Sequence, residues 1–362
     1  MLRAALIGYP STGRTTLFRL MTSAREGTRP GHNGRLEANV GISRVPDARL
    51  DRLTALFKPR RHVPATVEFA DLASAGQAGT RDLVDVAPFR NADALVHVVR
   101  TFRDASVPHA PGPIDPARDV RSMDEERMLA DLGIVERRLE RLEKDLKKGQ
   151  TPDLKREQDL LARCRAALEQ GRPMRALGLA ADDARRLRGF QFLSAKPMLV
   201  VLNVDEAEIS GLDEAVAGAG LADWAESPAT RALALCAKIE LEIAELGPAD
   251  AAAFLADLGL SDSGLDRVIR ASYDLLGYIS FFTVGEDECR AWSIPRHTPA
   301  QEAAGEIHTD IQRGFIRAEV VRYDHLLARG SIAACKDHGE FRLEGKDYVV
   351  ADGDVINFRH AT

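Results

Sequence analysis

The fold of this chain is decided near its N-terminus, by the stretch Leu2-Arg-Ala-Ala-Leu-Ile-Gly-Tyr-Pro-Ser-Thr-Gly-Arg-Thr-Thr16. Its apolar run from Ala4 to Ile7 predicts a short buried strand, and the residues from Thr15 onward predict a helix. Between them lies the loop Gly8-x-x-x-x-Gly13. A strand, a loop bounded by glycines and a helix are the setting of a P-loop, in which backbone N–H groups and a helix N-terminus face one anion.

The side chains of this loop predict a nucleotide phosphate site with Mg²⁺. The hydroxyl of Thr15 stands where a Ser or Thr ligates Mg²⁺ next to bound phosphates. Arg14 stands where the pattern requires Lys, so the positive charge is kept on a longer and planar group. We therefore predict that the phosphates are bound by Ser11, Thr12, Gly13, Arg14, Thr15 and Thr16.

The composition is that of an ordinary globular protein with room for two or three domains. The chain has 362 residues, of which 45% are hydrophobic and 29% are charged. A net charge of −6 excludes a global basic field, so any RNA contact has to be a local patch. The sequence contains neither a signal peptide nor an apolar stretch of membrane-spanning length, and its cysteines are far apart. We expect a cytoplasmic monomer that does not bind membranes.

Alternating strand and helix patterns predict an α/β domain with a doubly wound parallel sheet. The segment from Ala94 to Arg100 has almost no polar residue, as expected of a central parallel strand. A similar run ends at Asn203, and a third leads to Lys238.

Two heptad seams interrupt this pattern. Apolar residues recur at steps of three and four in the first seam, which consists of Leu132, Val135, Leu139, Leu142 and Leu146. A second seam follows Pro152, which predicts an antiparallel coiled-coil hairpin inserted in the sheet domain. From Ser280 short strands and turns predict a small α+β domain. The expected domains are residues 1–116 with 192–278 (NTP-binding), 117–191 (helical hairpin) and 279–362 (C-terminal).

Polar residues follow the predicted strands in the order that a nucleotide site requires. Asp71 ends one strand, where an acid can hold Mg²⁺ through a water. We expect base contacts from Asn203, Glu206, Cys236, Ala237 and Lys238. Taken one at a time, these residues also have structural explanations. Asp71 could cap a helix, Asn203 could form a turn, and Lys238 could be a surface charge. A sheet domain that has lost nucleotide binding is the alternative for the whole set.

These motifs and others spread over the chain resemble the Obg-like ATPase family, also called the YchF family. They include Gly-Tyr-Pro-Ser-Thr-Gly13, Ala-Asn-Val-Gly-Ile-Ser-Arg-Val-Pro-Asp-Ala-Arg-Leu-Asp51, Asn-Val-Asp-Glu206 and Ala-Gly-Glu-Ile-His-Thr-Asp310. The resemblance implies a GTPase-like core with a helical insert, a C-terminal TGS domain of β-grasp-like fold and association with ribosomes. It also implies a preference for ATP over GTP.

The base-reading segment gives this preference a physical basis. A guanine-selective Asn-Lys-x-Asp motif ends in an Asp that accepts two hydrogen bonds from guanine. Here Val204 takes the place of the Lys and Glu206 that of the Asp. A longer acid does not fit the same two-point contact, and a site built on hydrogen bonds discriminates strongly when they are lost.

Three departures from the family pattern concern the γ-phosphate and Mg²⁺. Arg14 replaces the P-loop Lys, and Arg35 replaces a switch Thr whose hydroxyl ligates Mg²⁺, a role open to Thr28. In the second switch, Ser74 replaces a Gly whose backbone approaches the γ-phosphate, and Ala75 carries no group to orient a water.

Two main hypotheses follow. The first is a slow, Mg²⁺-dependent NTPase that favours ATP and acts as a ribosome-associated switch. The second is a nucleotide- or RNA/ribosome-binding module that has lost turnover, and a scaffold with an empty core is a third class. The TGS-like segment also carries Trp292, Arg313, Phe315 and Arg317, a mixture suited to rRNA or tRNA contact. The alternative is that its aromatic residues belong to the core and that its arginines cap carboxylates.

Overall fold

The P-loop lies at the carboxyl end of a central parallel strand in the computed structural model, which describes residues 2–22, 38–72 and 87–361. In this described part, six strands form one sheet in the order β2-β4-β1-β5-β6-β7. They are β1 (Arg3–Ile7), β2 (Ala38–Arg44), β4 (Thr66–Leu72), β5 (Ala94–Arg100), β6 (Met198–Asn203) and β7 (Thr230–Leu235). The strand β1 pairs in parallel with β4 and β5, β5 pairs with β6, and β6 pairs with β7.

The register of these parallel strands gathers their carboxyl ends. Leu6 of β1 pairs with Asp71 of β4, and Arg100 of β5 pairs with Asn203 of β6. Every residue of β5 and β6 is buried, as expected of central strands covered on both faces. The sheet therefore places the predicted magnesium acid next to the P-loop, and the predicted base residues lie along the same edge.

Helices surround this sheet within one compact unit, Leu2–Ile42 with Glu68–Leu275. They are α1 (Arg14–Thr22), α3 (Pro116–Lys148), α4 (Pro152–Glu169), α5 (Ala181–Leu187), α6 (Leu212–Gly218), α7 (Ala222–Ala225), α8 (Ala237–Glu245), α9 (Pro248–Asp257) and α10 (Gly264–Leu275). Among the helices of the described ranges, none combines the length and apolar character needed to cross a membrane.

The helices α3 and α4 pack through the predicted seams. Each begins with a capping side chain followed by Pro: Asp115 precedes α3 and Thr151 precedes α4. One apolar cluster contains residues of both, including Val135, Leu139, Leu142, Leu161, Cys164 and Leu168. Arg138 and Glu157 add a two-point ion pair with N–O distances of 2.7 and 2.8 Å. The role of this pair of helices as an inserted coiled-coil arm stays a prediction.

A second compact unit consists of Ser43–Val67 and Leu276–Thr362. In the described residues its sheet has the order β11-β10-β12-β8-β9-β3. The strands are β3 (Arg61–Val63), β8 (Tyr278–Val284), β9 (Glu288–Pro295), β10 (Phe315–Arg322), β11 (Phe341–Glu344) and β12 (Asp354–His360). The helices are α2 (Ala48–Phe57), α11 (Ala300–Ile307), α12 (Thr309–Arg313), α13 (Tyr323–Arg329) and α14 (Ile332–Asp337).

The segment 43–67 differs from the expected domain boundary, which kept it with residues 1–116. The strand β3 pairs in parallel with β9, and Arg49 of α2 makes an ion pair with Asp352 at 2.8 Å. Leu50 and Leu53 of α2 are fully buried, at 1% and 0% exposure. Pairing and packing with residues more than 200 positions later in the chain therefore assign this segment to the C-terminal unit. The identity of that unit as a TGS domain stays a prediction.

Candidate functional site

Two glycines shape the loop between β1 and α1. The φ angles of Gly8 and Gly13 are +149° and +92°, a region that favours glycine. A Cβ atom on Gly8 would lie 2.5 Å from the carbonyl oxygen of Val98, and one on Gly13 would lie 2.4 Å from Nδ2 of Asn203. The helix α1 begins directly after Gly13, so its N-terminus is part of the loop. This is the backbone arrangement of an anion-binding P-loop.

The amide of Asn203 braces this loop. Its Nδ2 donates a hydrogen bond to the carbonyl oxygen of Thr12 at 3.0 Å, and its Oδ1 accepts one from the backbone N–H of Ala237 at 2.9 Å. One buried side chain at the end of β6 thus connects the P-loop to the start of α8. Asn203 was predicted as a base contact, and the structure uses both ends of its amide to hold the site together.

Arg14 and Thr15 both contact the carboxylate of Asp71. The Nε atom of Arg14 lies 2.7 Å from Oδ1 of Asp71, and the hydroxyl of Thr15 donates to Oδ2 at 3.1 Å. Arg14 also donates from Nη1 to the carbonyl oxygen of Gly8 at 3.3 Å. The P-loop cation and the predicted magnesium acid therefore form an ion pair inside the site.

Burial and charge act on Asp71 in opposite directions. The side chain is fully buried, and burial raises its pKa above the ordinary value, while the charge of Arg14 and the hydrogen bond from Thr15 lower it in part. A buried carboxylate needs such partners to stay ionised. Arg14 is therefore its counter-ion.

The donor types at this corner suit Mg²⁺. A hydroxyl, Thr15, and a carboxylate, Asp71, are the hard oxygen ligands that this ion prefers, and they meet beside the phosphate loop. In the described ranges, no group of three or more His, Cys, Asp and Glu side chains is arranged to hold a metal. Bound phosphates would have to supply the remaining ligands. The predicted roles at the γ-phosphate and Mg²⁺ fall on residues outside those that the structure describes, namely Thr28, Arg35, Ser74 and Ala75.

A cavity of about 560 Å³ opens beside the P-loop and contains all the predicted base residues in its lining. Gly13 and Thr16 contribute from the loop side, and the predicted base residues are Asn203, Glu206, Cys236, Ala237 and Lys238. Their individual roles stay predictions. Nζ of Lys238 lies 2.6 Å from Oε2 of Glu206, and this contact raises the pKa of Lys238.

Sequence reasoning missed one wall of this cavity, the segment from Phe102 to Ala105. The guanidinium of Arg100, which is almost fully buried, donates to the carbonyl oxygens of Phe102, Asp104 and Val107 at 3.1, 3.0 and 2.9 Å. Arg100 therefore fixes the shape of this loop. The signal in the sequence was an arginine at the end of an otherwise apolar strand.

The basic and aromatic residues of the C-terminal unit divide into two groups. Trp292 and Phe315 pack against its apolar core, as the structural alternative holds. Arg313 and Arg317 are exposed. The aromatic residues are thus largely used in packing, and the two arginines form part of the surface.

Comparisons with known proteins agree with this architecture. The family model YchF-GTPase_C, described as "Protein of unknown function (DUF933)", matches residues 278–361. The Ribosome-binding ATPase YchF of Bacillus subtilis is 40% identical over 99% of each chain. The Obg-like ATPase 1 of Oryza sativa is 34% identical over 99% of this chain and 92% of the relative. A solved structure of the Schizosaccharomyces pombe YchF GTPase matches with a TM-score of 0.86 and 28% identity, covering 99% of this chain and 97% of the other.

The predicted resemblance and the predicted P-loop α/β fold are therefore confirmed, because these matches run over nearly the whole length of the chain. By the likeness of its sequence and of its fold, this chain belongs to the YchF family of Obg-like ATPases.

Proposed function

We propose that the chain is a cytoplasmic, ribosome-associated protein that binds ATP at the P-loop and hydrolyses it slowly or not at all. The observation that carries this proposal is the brace at Asn203, which joins the phosphate loop to the wall of the base cavity. The relatives named as ribosome-binding ATPases support the ribosomal partner.

The loop residues have distinct tasks in this proposal. The backbone N–H groups from Ser11 to Thr16 bind the β- and γ-phosphates, and α1 adds its N-terminal dipole. Thr15 and Asp71 would hold Mg²⁺, which neutralises phosphate charge when it is bound. The guanidinium of Arg14, which contacts Asp71 in this structure, is the charged side chain that the loop offers to the phosphates.

The preference for ATP rests on the base cavity. Val204 is buried, at 3% exposure, and offers no cation to the loop. Glu206 is paired with Lys238, which leaves this acid poorly placed to accept two hydrogen bonds from guanine. A hydrogen-bonding site discriminates most strongly against a substrate that leaves its groups unpaired.

Loss of turnover is the second candidate, and the Arg14–Asp71 ion pair favours it. This buried ion pair has to be separated before Asp71 can face a metal, and separating it leaves a buried charge without its partner, which is unfavourable. In this version the protein senses nucleotide occupancy through binding alone.

Turnover and binding assays separate the two candidates. Phosphate release from ATP is measured with and without ribosomes, using Asp71→Ala as the control. Release above that control supports the slow ATPase, whereas equal release supports the binding module. Calorimetric titration with ATP, GTP and ADP then tests the base preference. Absence of binding for all three nucleotides overturns both versions.

The exposed arginines of the C-terminal unit are the proposed ribosomal contact. Arg313 and Arg317 carry positive charge on the surface, where each can neutralise a phosphate of rRNA or tRNA. The double variant Arg313→Gln, Arg317→Gln is expected to weaken co-sedimentation with ribosomes. Arg296→Gln, an exposed arginine of the same unit, is the matched control, and equal binding of both variants contradicts this contact.

A further inference from the structure

A second cavity, of about 710 Å³, lies away from the P-loop, between the segment that precedes β5 and the segment from Met174 to Pro197. We propose that this cavity, here called the basic cavity, binds a small phosphate ester with an apolar body. The proposal is independent of nucleotide binding at the P-loop, because no lining residue is shared between the two cavities.

The charge of the lining points to an anion. Arg90, Arg175, Arg188 and Lys196 line the basic cavity, and Asp93 is the one acid among its lining residues. Two further acids, which do not line the cavity, contact these cations. Asp131 lies 3.7 Å from Nη1 of Arg90, and Asp124 accepts a hydrogen bond from Arg175. Four cations against three carboxylates leave one positive charge without a counter-ion in this set.

Arg175 adds a buried cation behind the wall of the basic cavity. Its side chain is 3% exposed, and its Nη1 is buried without a hydrogen-bond partner among the described residues. Its Nη2 donates to Asp124, and its guanidinium carbon lies 5.9 Å from the centroid of the Trp224 ring. Neither of these partners lines the cavity, so Arg175 contributes positive charge to the site and not a direct hydrogen bond to a ligand.

A second buried arginine strengthens the local positive field. Arg127 shares the carboxylate of Asp124 with Arg175, and its Nε also has no partner in the described part of the chain. His97 lies near this pair and is neutral, because burial lowers its pKa to about 3. Charges inside a protein are poorly screened by solvent, so the net positive charge of the two guanidinium groups and the one carboxylate adds to the positive potential in the basic cavity.

The side chain of Lys196 is held in place by hydrogen bonds and is not a mobile surface charge. Its Nζ donates to the carbonyl oxygens of Arg90 and Ala92, and burial lowers its pKa. Arg188, in contrast, is exposed and has room to close on a ligand. The cavity thus combines fixed cations with one that is accessible.

The remaining walls are apolar. Met174, Leu187 and Phe192 are buried residues of the lining, and Leu179 adds a further apolar side chain. A volume of about 710 Å³ lies in the range of small-molecule sites, in which apolar walls hold the ligand body and a few polar groups orient it. A phosphate ester with a ring matches both the charge and the walls, and inorganic phosphate matches only the charge.

The test is an NMR titration of the full chain with labelled methionine methyl groups. One spectrum then reports on ligand binding at both cavities. The sequence has six methionines, of which Met174 reports on the basic cavity and Met21, in α1, reports on the P-loop side. Phenyl phosphate is expected to shift the Met174 signal saturably, and phenol and inorganic phosphate are expected to bind much more weakly. ATP at the P-loop is expected to move Met21, so failure of the proposed function is seen separately.

Two arginines of one segment give a matched pair of variants. Arg188→Gln is expected to weaken phenyl phosphate binding about fivefold, the scale of one exposed ion pair. Arg185→Gln, an exposed neighbour outside the lining, should leave it unchanged. Arg175→Gln is expected to weaken binding about as much as Arg188→Gln, since it removes a cation from behind the wall and leaves Asp124 paired with Arg127 alone. If Arg175→Gln fails to fold, the Arg188 pair still decides.

Three results overturn the proposal. The first is an unshifted Met174 signal at phenyl phosphate concentrations up to about 10 mM, above the range of weak sites. The second is an equal response to phenol, which would mark the cavity as a purely apolar site. The third is a Met174 shift produced by an RNA oligonucleotide and by none of the small phosphates.

Discussion

The Nε atom of Arg14 lies 2.7 Å from Oδ1 of Asp71, and Thr15 donates to the other oxygen of the same carboxylate. The P-loop therefore engages both oxygens of the acid that the sequence predicts for Mg²⁺. The planar guanidinium contacts Asp71 through Nε and the carbonyl oxygen of Gly8 through Nη1, two partners that a compact ammonium is poorly shaped to hold together. The Lys-to-Arg departure from the family pattern thus concerns how strongly Asp71 is held.

We predict that Arg14→Lys increases the effect of Mg²⁺ on ATP binding. The shorter ammonium holds Asp71 less firmly, which allows the acid to serve a metal. Calorimetry with Mg²⁺ or with a chelator is expected to show a change below about threefold in the parent and about tenfold in the variant. Arg44→Lys, at the exposed end of β2, is the control. Equal metal effects in all three proteins would refute this role of Arg14.

A second prediction compares two glycines. Gly13→Ala places a Cβ atom 2.4 Å from Nδ2 of Asn203 at a φ of +92°, so we expect loss of ATP binding and a fall in unfolding free energy of about 1–3 kcal/mol. Gly133→Ala, within α3 with no neighbouring atom in reach, should raise it by roughly 0.5–1 kcal/mol. Chemical denaturation and calorimetry measure both. Undiminished ATP affinity in Gly13→Ala would contradict the proposed site.

A third prediction concerns the base cavity. Glu206→Asp shortens the acid and removes its contact with Lys238, which restores the side chain found in guanine-selective sites. We expect the ratio of ATP to GTP affinity to fall about fivefold. Competition between labelled ATP and unlabelled GTP gives this ratio directly. Glu214→Asp, on α6 outside the cavity, should leave the ratio as it is in the parent.

A fourth prediction is a pH dependence that originates at His97. Burial and the charge of Arg127 lower its pKa to about 3, and Asp124 opposes this only in part. The unfolded chain takes up the proton near pH 6.5, so the unfolding free energy falls as the pH drops from there toward 3. The contribution is about 1.4 kcal/mol per pH unit.

Variants isolate that contribution. His97→Met removes the titrating group from the buried strand, and the mean slope of unfolding free energy against pH between 5 and 6.5 should decrease by about 1 kcal/mol per unit, since the unfolded imidazole is only half protonated at pH 6.5. His325→Gln, on the exposed side of α13, should retain the slope of the parent. An unchanged slope in His97→Met means that His97 is not the source.

The central strands of the first sheet could be predicted because buried strands consist of consecutive apolar residues. β5 and β6 are buried along their whole length, and both are expected from runs with almost no polar residue, His97 being the exception within β5. The P-loop could be predicted because its glycines are local requirements of the backbone. The match to family members over the whole chain confirms this fold.

What could not be predicted depends on pairing between distant residues. The ion pair of Arg14 and Asp71 follows from the register of β1 and β4, which no single segment encodes. The amide of Asn203 was expected at the base, but its two hydrogen bonds require three strand and loop ends to meet. The basic cavity likewise joins segments about 100 residues apart.

Because α2 and β3 belong to the C-terminal unit, that unit cannot be deleted or transferred by cutting the chain at one point. The family model covers residues 278–361, yet the compact unit also takes in Ser43–Val67 from early in the chain. A deletion at residue 278 would uncover Leu50 and Leu53, which are buried in the intact protein. The C-terminal unit therefore cannot be appended or removed as a single genetic segment, and the two separate segments of its sequence have to be inherited together.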